Sequence, residues 1–128
     1  MKIAHVALWT TDIDAQARFW TTWFGAQAGE LYVSKNRPGF TSRFLRLQDG
    51  PTLELMSLPG LAVAPDDKEH PGWAHIALDV GDKNQVDALA QRAKAAGILR
   101  SGPRMTGDGF YEAVLADPDG NLVEITAG

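Results

Sequence analysis

The sequence contains no cysteine among its 128 residues. A chain without cysteine forms no disulfide, offers no thiolate to a metal ion and has no thiol nucleophile, so its chemistry must come from other side chains. It also has no excess of positive charge, because the formal net charge is −4 and the pI is about 5.2. Binding to nucleic acid phosphates requires a basic surface. The composition therefore argues against nucleic acid as a partner.

Long apolar runs are missing as well. No run approaches the roughly 20 residues that span a bilayer, and the N-terminus enters a strand pattern instead of a signal-peptide pattern. We therefore expect no membrane association and a cytoplasmic location. Apolar residues make up 45% of the chain and charged residues 22%, which is typical of a globular domain. A chain of this length predicts one domain, residues 1–128.

One short stretch of the sequence occurs twice. The stretch AHVAL at residues 4–8 returns as AHIAL at residues 74–78. The same offset of 70 residues carries Glu54 onto Glu124, and the Asp-Gly pair at 49–50 onto the pair at 119–120. A fixed internal offset is the mark of a duplicated unit. The repeat therefore predicts two modules of the same fold.

Hydrophobic periodicity predicts the same order of elements in each module. The first module covers about residues 1–58, with a strand at 2–10, a helix at 12–24 and strands at 28–34, 40–48 and 52–58. A linker at about 59–72 holds three of the seven prolines. The second module covers about 73–128, with a strand at 73–80, a helix at 82–96 and strands at 98–105, 110–116 and 122–126. The predicted class is α+β, with two tandem βαβββ modules, and the first strand is expected to be buried on both faces.

Four repeated side chains form a candidate metal site. Because successive side chains of a strand alternate between its faces, His5 and His75 lie opposite their aliphatic neighbours in the first strand of each module. Glu54 and Glu124 do the same in each last strand. A carboxylate shielded from water is unfavourable unless it is paired or bound to a cation. Imidazole and carboxylate together bind divalent metals, and two glutamates neutralise a 2+ ion.

A simpler interpretation treats the histidines as core residues with satisfied hydrogen bonds and the glutamates as solvated strand residues. This simpler interpretation would have to apply to all four residues, although the repeat relates the two histidines to each other and the two glutamates to each other. We therefore favour the metal site. His70 stands apart from the repeat, in the linker, and we expect it to be a solvated loop residue. The aromatic residues of the first predicted helix are expected to lie in the core or in a subunit interface. They are Phe19, Trp20, Trp23 and Phe24.

The sequence resembles the vicinal oxygen chelate superfamily, also called the glyoxalase/bleomycin-resistance/dioxygenase family, over essentially its whole length. The resemblance is carried by His5, by Glu54 after an Asp-Gly turn, by His75 in GWAHIA, and by DPDGNLVE at residues 117–124. It implies a glyoxalase-like fold, in which paired βαβββ modules form an incomplete curved barrel. It also implies a homodimer and one divalent metal per site held by His5, Glu54, His75 and Glu124. Ni, Co, Zn, Mn or Fe would suit these ligands.

Because it has all four ligands, the sequence most closely resembles the glyoxalase I branch, and in particular small bacterial glyoxalase-like proteins. That resemblance implies a lyase or isomerase acting on a small substrate with adjacent oxygens. The metal would stabilise an enediolate as a Lewis acid, and a glutamate would serve as general base. Glu124 is the first choice for the base and Glu54 its pseudo-symmetric alternative. The site is formed either within one chain or across two chains.

The sequence departs from the glyoxalase I pattern just after the first histidine. Those enzymes usually carry an arginine there to meet a glutathione carboxylate, whereas this chain has Trp9. Trp9 and Met56 share the face of the ligands, which predicts a rather apolar substrate-binding wall. An anion contact would have to come from another residue. The candidates are Arg37, Arg43 and Arg104.

Other functions of the same superfamily stay open. One is thiol transfer to an epoxide, as in fosfomycin resistance, although that branch generally uses two histidines and one glutamate. Another is sequestration of an aromatic antibiotic, as bleomycin-resistance proteins do, although such proteins have typically lost the metal ligands. Extradiol ring cleavage is less favoured because those enzymes are usually longer. Methylmalonyl-CoA epimerase usually has glutamine where this chain has Glu54.

Overall fold

The computed structural model describes residues 1–67 and 69–128, and Lys68 of the predicted linker lies outside the described residues. The chain divides into two compact units, residues 1–64 and residues 65–128. The boundary between them falls inside the predicted linker. No helix in the part of the chain that the structure describes is long and apolar enough to cross a membrane.

Unit one contains one helix and a sheet with the order β1-β5-β4-β2, to which β3 adds by pairing with β4. β1 is parallel to β5, and the other pairs are antiparallel. The elements of this unit are β1 (His5–Trp9), α1 (Ile13–Phe24), β2 (Gln27–Ala28), β3 (Tyr32–Val33), β4 (Thr41–Arg46) and β5 (Thr52–Ser57).

The described residues of unit two form one helix and a four-stranded sheet with the order β6-β9-β8-β7. β6 is parallel to β9, and the remaining pairs are antiparallel. The elements of this unit are β6 (Ile76–Asp79), α2 (Lys83–Ala95), β7 (Leu99–Met105), β8 (Tyr111–Ala116) and β9 (Leu122–Ala127). The predicted α+β class with two tandem βαβββ modules is confirmed.

The two sheets share one register when the numbers are shifted by 70. Ala7 of β1 lies opposite Glu54 of β5, and Ala77 of β6 lies opposite Glu124 of β9. β4 and β8 cover equivalent residues, as do β5 and β9. The repeat in the sequence is therefore a repeat of backbone hydrogen bonding, since parallel pairing fixes which residues face each other.

Each helix begins at the aspartate that the sequence indicates. The carboxylate of Asp12 accepts hydrogen bonds from the backbone N–H groups of Asp14 and Ala15, at 3.1 and 2.9 Å. Asp82 accepts one from Gln85 N–H at 2.9 Å. These bonds satisfy N–H groups that the helix itself leaves unpaired. Gly25 ends α1 with φ of 64°, a left-handed conformation that glycine adopts without steric strain.

The core of each unit lies between its helix and the aliphatic face of its sheet. Leu53 and Leu55 of β5 are buried under α1, and Val123 and Ile125 of β9 are buried under α2. Trp20 of α1 is 1% exposed, and its indole N–H donates to Gln16 Oε1 at 3.2 Å. The predicted aromatic face of the first helix is therefore largely core.

Two details of the predicted strands are wrong. β1 is not buried on both faces, because His5, Ala7 and Trp9 are exposed and only Val6 and Leu8 are half-buried. Its ligand face has no cover within unit one. The strand expected at 28–34 is instead two short strands, β2 and β3. At the break between them, the N–H of Gly29 donates to Phe44 O at 2.8 Å.

Candidate metal centre

The first candidate pair is built by the parallel pairing of β1 and β5. His5 lies two residues before Ala7, the register partner of Glu54, so both side chains emerge on the same face of the sheet. The distance from His5 Nε2 to Glu54 Oε2 is 3.6 Å. Phe44 on β4 lies opposite Glu54, and its ring meets the imidazole edge-on with the centroids 5.8 Å apart.

The second pair repeats this geometry on β6 and β9. His75 lies two residues before Ala77, the register partner of Glu124. The distance from His75 Nε2 to Glu124 Oε2 is 3.4 Å. The structure thus brings one histidine and one glutamate of the predicted set together inside each unit. The described residues contain no group of three or more His, Asp or Glu side chains that could hold a metal ion. A centre made from all four residues stays a prediction.

The exposure of these side chains contradicts the simpler interpretation. The histidine side chains are 49% and 41% exposed, so neither is a core histidine. The glutamate side chains are only 18% and 15% exposed, so they are not freely solvated. A shielded carboxylate beside an accessible imidazole is an arrangement that can accept a cation from solvent.

The separation of the donor atoms fits a shared metal ion. Ligand nitrogen and oxygen atoms lie about 2.0–2.2 Å from a divalent transition metal, so two neighbouring donors in tetrahedral or octahedral geometry are roughly 3.0–3.5 Å apart. The observed separation is 3.4 Å for His75 and Glu124, within that range, and 3.6 Å for His5 and Glu54, just above it. These are longer than a good N–H···O hydrogen bond. Each His–Glu pair could therefore supply two donors to one ion.

Glu124 has an environment that favours its protonated form. Burial raises the pKa of this carboxyl, and the carboxylates of Glu112 and Asp108 raise it further, while His75 acts in the opposite direction. The hydrogen bond between the carboxyls of Glu112 and Glu124 also raises the pKa of Glu124. A raised carboxyl pKa makes the ionised form a stronger proton acceptor.

Glu112 was missed by the sequence analysis. It lies on β8 two residues from Val114, which is opposite Glu124, and it is 8% exposed. Arg104 lies opposite Glu112 across β7 and β8, with Nη2 and Oε1 3.3 Å apart. The position equivalent to Glu112 in unit one is Ser42. A carboxylate present in one module alone gives no repeat signal in the sequence.

The pairing of Arg104 with Glu112 depends on irregularities in β7. The register between β7 and β8 shifts between Leu99 and Ser101, and again between Ser101 and Arg104. At Gly102, within the second shift, a Cβ atom would lie 2.6 Å from Glu112 O. Only glycine allows so close an approach.

The predicted substrate-binding residues lie on the ligand face of unit one. Trp9 is 43% exposed and is the register partner of half-buried Met56. The Trp9 ring meets Phe40 edge-on, with the centroids 6.2 Å apart. Arg37 places its guanidinium carbon 5.6 Å from the centre of the Phe40 ring. Phe40 and Arg37 lie in the connection between β3 and β4, and this connection brings them next to Trp9.

The three candidate arginines have different partners. Arg43 points to the helix side of β4, where it donates to Gly29 O and approaches Asp14 Oδ1 at 3.4 Å. Arg104 pairs with Glu112. Arg37 forms no ion pair with a carboxylate among the described residues. Of the three, Arg37 has the charge available for an anionic ligand.

Two other features lie away from the candidate centre. His70 is exposed in the linker, as expected, and its Nδ1 lies 3.1 Å from Pro71 O. A groove of about 540 Å³ lies on the helix side of unit two, between α2 and β7, with Lys94 and Pro103 in its wall. It includes none of the predicted ligands, so it is not the site of the predicted chemistry.

Comparison with known proteins identifies the family. The profile described as "Glyoxalase/Bleomycin resistance protein/Dioxygenase superfamily" matches residues 2–125. The chain is 33% identical to the uncharacterised protein PA2024 of Pseudomonas aeruginosa, over 98% of this chain and 88% of that one.

Solved structures show the same fold. A glyoxalase/bleomycin resistance protein/dioxygenase domain from Frankia sp. EAN1pec aligns with a TM-score of 0.84 and 20% identity, covering 100% of this chain and 92% of that one. The trypanothione-dependent glyoxalase I of Leishmania major aligns with a TM-score of 0.77 and 22% identity, covering 99% and 86%. The fosfomycin resistance protein FosX of Listeria monocytogenes, complexed with Mn(II) and sulfate, aligns with a TM-score of 0.71 and 21% identity, covering 98% of this chain and 91% of that one. The glyoxalase-like fold is thereby confirmed.

Proposed function

We propose that this chain, which belongs to the glyoxalase/bleomycin resistance protein/dioxygenase superfamily, is a metal-dependent lyase or isomerase of glyoxalase I type. Its substrate is a small molecule with two adjacent oxygens. The observation that carries the proposal is the pair of His–Glu contacts, which have the donor separation of a metal site and repeat across the two modules. The cytoplasmic location expected from the sequence belongs to the same proposal.

The proposed ligands are His5, Glu54, His75 and Glu124. They would hold one divalent ion, either with both modules of one chain or with modules of two chains in a homodimer. When bound, the ion supplies Lewis acidity that stabilises negative charge on the adjacent oxygens of the substrate. Superfamily members of known structure include one complexed with Mn(II), which supports a divalent ion here without selecting among Ni, Co, Zn, Mn and Fe.

The proposed general base is Glu124. It would take the proton from the substrate carbon next to one oxygen and return it to the neighbouring carbon. A base works best when its pKa lies near the working pH, and burial together with Glu112 raises the pKa of Glu124 in that direction. Glu54, opposite Phe44 in the sheet, would act as a metal ligand. This division of roles makes Glu124 the stronger candidate of the two.

The test combines metal content with turnover. Elemental analysis of the purified protein is expected to give about one divalent ion per four-ligand site, and Glu54→Gln/Glu124→Gln is expected to lose it. The metal-loaded protein is then assayed for isomerisation of a methylglyoxal hemithioacetal with Ni²⁺, Co²⁺ and Zn²⁺. Stoichiometric metal without turnover of any hemithioacetal would eliminate the glyoxalase I reaction. Absence of metal from every preparation would eliminate catalysis by this site.

A second candidate is a non-catalytic protein that sequesters an aromatic antibiotic. The exposed rings of Trp9 and Phe44, with the half-buried ring of Phe40 beside Trp9, favour it. Tight binding of an aromatic antibiotic to the metal-free protein, with no chemical change on adding metal, would favour this function. The FosX likeness supports thiol transfer to an epoxide only at the level of fold. Incubating fosfomycin with a thiol and the Mn²⁺-loaded protein tests that reaction.

A further inference from the structure

The ligand faces of the two modules differ at the positions around the repeated His–Glu pairs. Where unit one has Trp9 and Arg37, the residues 70 positions later are Asp79 and Gly107. Duplicated modules with the same ligands do not need such differences to hold a metal. The differences therefore bear on what else the site binds.

Three residues of unit one, Trp9, Phe40 and Arg37, form a contiguous group that we call the Trp9 cluster. Trp9 and Phe40 are in edge-to-face contact at 6.2 Å, and Arg37 lies over Phe40 at 5.6 Å. The turn that carries Arg37 is fixed, because its N–H donates to Ser34 Oγ at 3.0 Å and its carbonyl accepts from Phe40 N–H at 3.1 Å. The cluster is therefore organised before any ligand binds, which reduces the entropy lost on binding.

The exposed surface of the cluster is suited to an aromatic ring. Trp9 is 43% exposed, so a large part of its indole is open to solvent beside Phe40. Tryptophan offers a large apolar surface and prefers offset or edge-to-face contact with a second ring. An aromatic ring gains more from this contact than an aliphatic chain of similar length.

The charge of the cluster adds a second requirement. Arg37 has no carboxylate partner among the described residues, unlike Arg43 and Arg104. A guanidinium group binds a carboxylate in a bidentate manner with two parallel hydrogen bonds. Arg37 therefore favours a ligand whose aromatic part carries a carboxylate.

The spacing relative to the candidate ligands sets the size of the ligand. Trp9 lies two residues beyond Ala7, the partner of Glu54. With a rise of about 3.3 Å per residue, the indole is roughly 7 Å along the strand from the row of Glu54. A benzene ring with a reactive group at one end spans that length, and a carboxylate at its other end extends past the indole toward Phe40 and Arg37.

We infer that the Trp9 cluster is a specificity subsite for an aromatic acid, in which Trp9 and Phe40 contact the ring and Arg37 binds its carboxylate. The inference rests on the proposed function only for the adjacent oxygens at the opposite end of the ligand. It assigns the substrate class, a benzene ring that bears a carboxylate at one end and, at the other, a side chain with a pair of adjacent oxygens. The glutathione conjugates expected of glyoxalase I lack such a ring.

The test uses probes that contain the two ends separately. Acetohydroxamate, benzohydroxamate and 4-carboxybenzohydroxamate share two adjacent oxygens that chelate metal, and calorimetry gives their dissociation constants with the metal-loaded protein. Adding the ring is expected to tighten binding about tenfold, and adding the carboxylate about tenfold more. Arg37→Gln is expected to remove only the second gain. Trp9→Leu removes the first, whereas Trp9→Phe retains most of it.

Arg18→Gln is the matched control, because Arg18 is an exposed arginine on the helix of the same unit. Equal affinity for the three hydroxamates, or equal loss in Arg18→Gln and Arg37→Gln, would overturn the inference. The inference would also be overturned if the Trp9 cluster were a contact between two copies of the chain. In that case Trp9→Leu would shift the protein from dimer to monomer in sedimentation and would leave the affinity for the probes unchanged.

A second series separates this inference from the proposed function. Acetamide, benzamide and 4-carbamoylbenzoate carry the same groups without a chelating end, and their binding is followed by ligand-observed NMR on the metal-free protein. If this series keeps the ring and carboxylate preferences while hydroxamates bind no better than amides, the subsite stands and the metal chemistry fails. If Glu124→Gln weakens all hydroxamates equally and neither series shows a preference, the metal site stands and the subsite fails.

Discussion

The two modules agree in their backbones and differ in the side chains around the same His–Glu pair. Glu54 and Glu124 have equivalent registers and similar shielding. Around Glu54 the structure places aromatic rings, with Phe44 beside His5 and the Trp9 cluster further along the strand. Around Glu124 it places a second carboxylate, Glu112, paired with Arg104.

This difference indicates how a duplicated unit divides its work. Both modules keep the residues that a shared cation would need, since losing either pair leaves two shielded donors instead of four. The surrounding positions are free to diverge because a metal does not require them. We propose that unit one contributes contacts to the organic part of the substrate and that unit two contributes proton transfer. Four predictions test this comparison.

The largest expected effect separates the two glutamates in turnover. With metal supplied in excess, Glu124→Gln is expected to lower kcat by about 10²–10⁴-fold, the usual contribution of a general base. Glu54→Gln should lower it less, because amide oxygen still ligates a metal. Steady-state kinetics on the hemithioacetal measure both. A larger loss in Glu54→Gln would reverse the assignment of the base.

The next effect tests the equality of the two modules in metal binding. His5→Ala and His75→Ala are each expected to weaken metal affinity by more than about 100-fold, since even outer-shell partners contribute 10–100-fold. Competition with a chromogenic chelator gives the affinities. His70→Ala is the control, because His70 lies in the linker and should leave the affinity unchanged. A loss confined to one of the first two variants would mean that the modules do not share a centre.

A smaller effect is expected from a substitution that makes unit two resemble unit one. Glu112→Ser introduces the residue found at the equivalent position 42 and removes a carboxylate that raises the pKa of Glu124. Since a general base must be ionised, the acid limb of the kcat/KM profile should move to lower pH. Glu69→Gln, in the exposed linker, serves as the control. An acid limb that stays in place would contradict the role assigned to Glu112.

The smallest effect concerns stability of the metal-free protein. The pKa of Glu124 is raised above its ordinary value of 4.5, so its ionisation disfavours the folded state at any pH above the folded pKa and has no effect below the unfolded one. Glu124→Gln should therefore raise Tm at pH 7 by on the order of a few °C. The gain should vanish below about pH 4. Thermal unfolding in chelator at both pH values checks the prediction, and an equal Tm change at both would contradict it.

The sequence by itself determined the modules, their elements and the four ligand candidates. Helix starts at Asp12 and Asp82 follow from local capping chemistry, and the ligand faces follow from the alternation of side chains along a strand. Both are local rules, so they survive without knowledge of the fold. The repeat then showed which residues of the two modules are equivalent, and residues 70 positions apart do occupy the same register.

Only the tertiary structure decided what surrounds each pair. Glu112 comes into contact with Glu124 because β8 and β9 pair in one register, and Arg104 reaches Glu112 because β7 shifts its register around Gly102. Arg37 reaches Phe40 through a turn whose shape no period predicts. These contacts join residues far apart in sequence or held in irregular backbone, and pairing register and turn geometry, not composition, set them. The sequence indicated the possible ligands, whereas the fold brought an aromatic ring next to His5 and Glu54 and a second carboxylate next to Glu124.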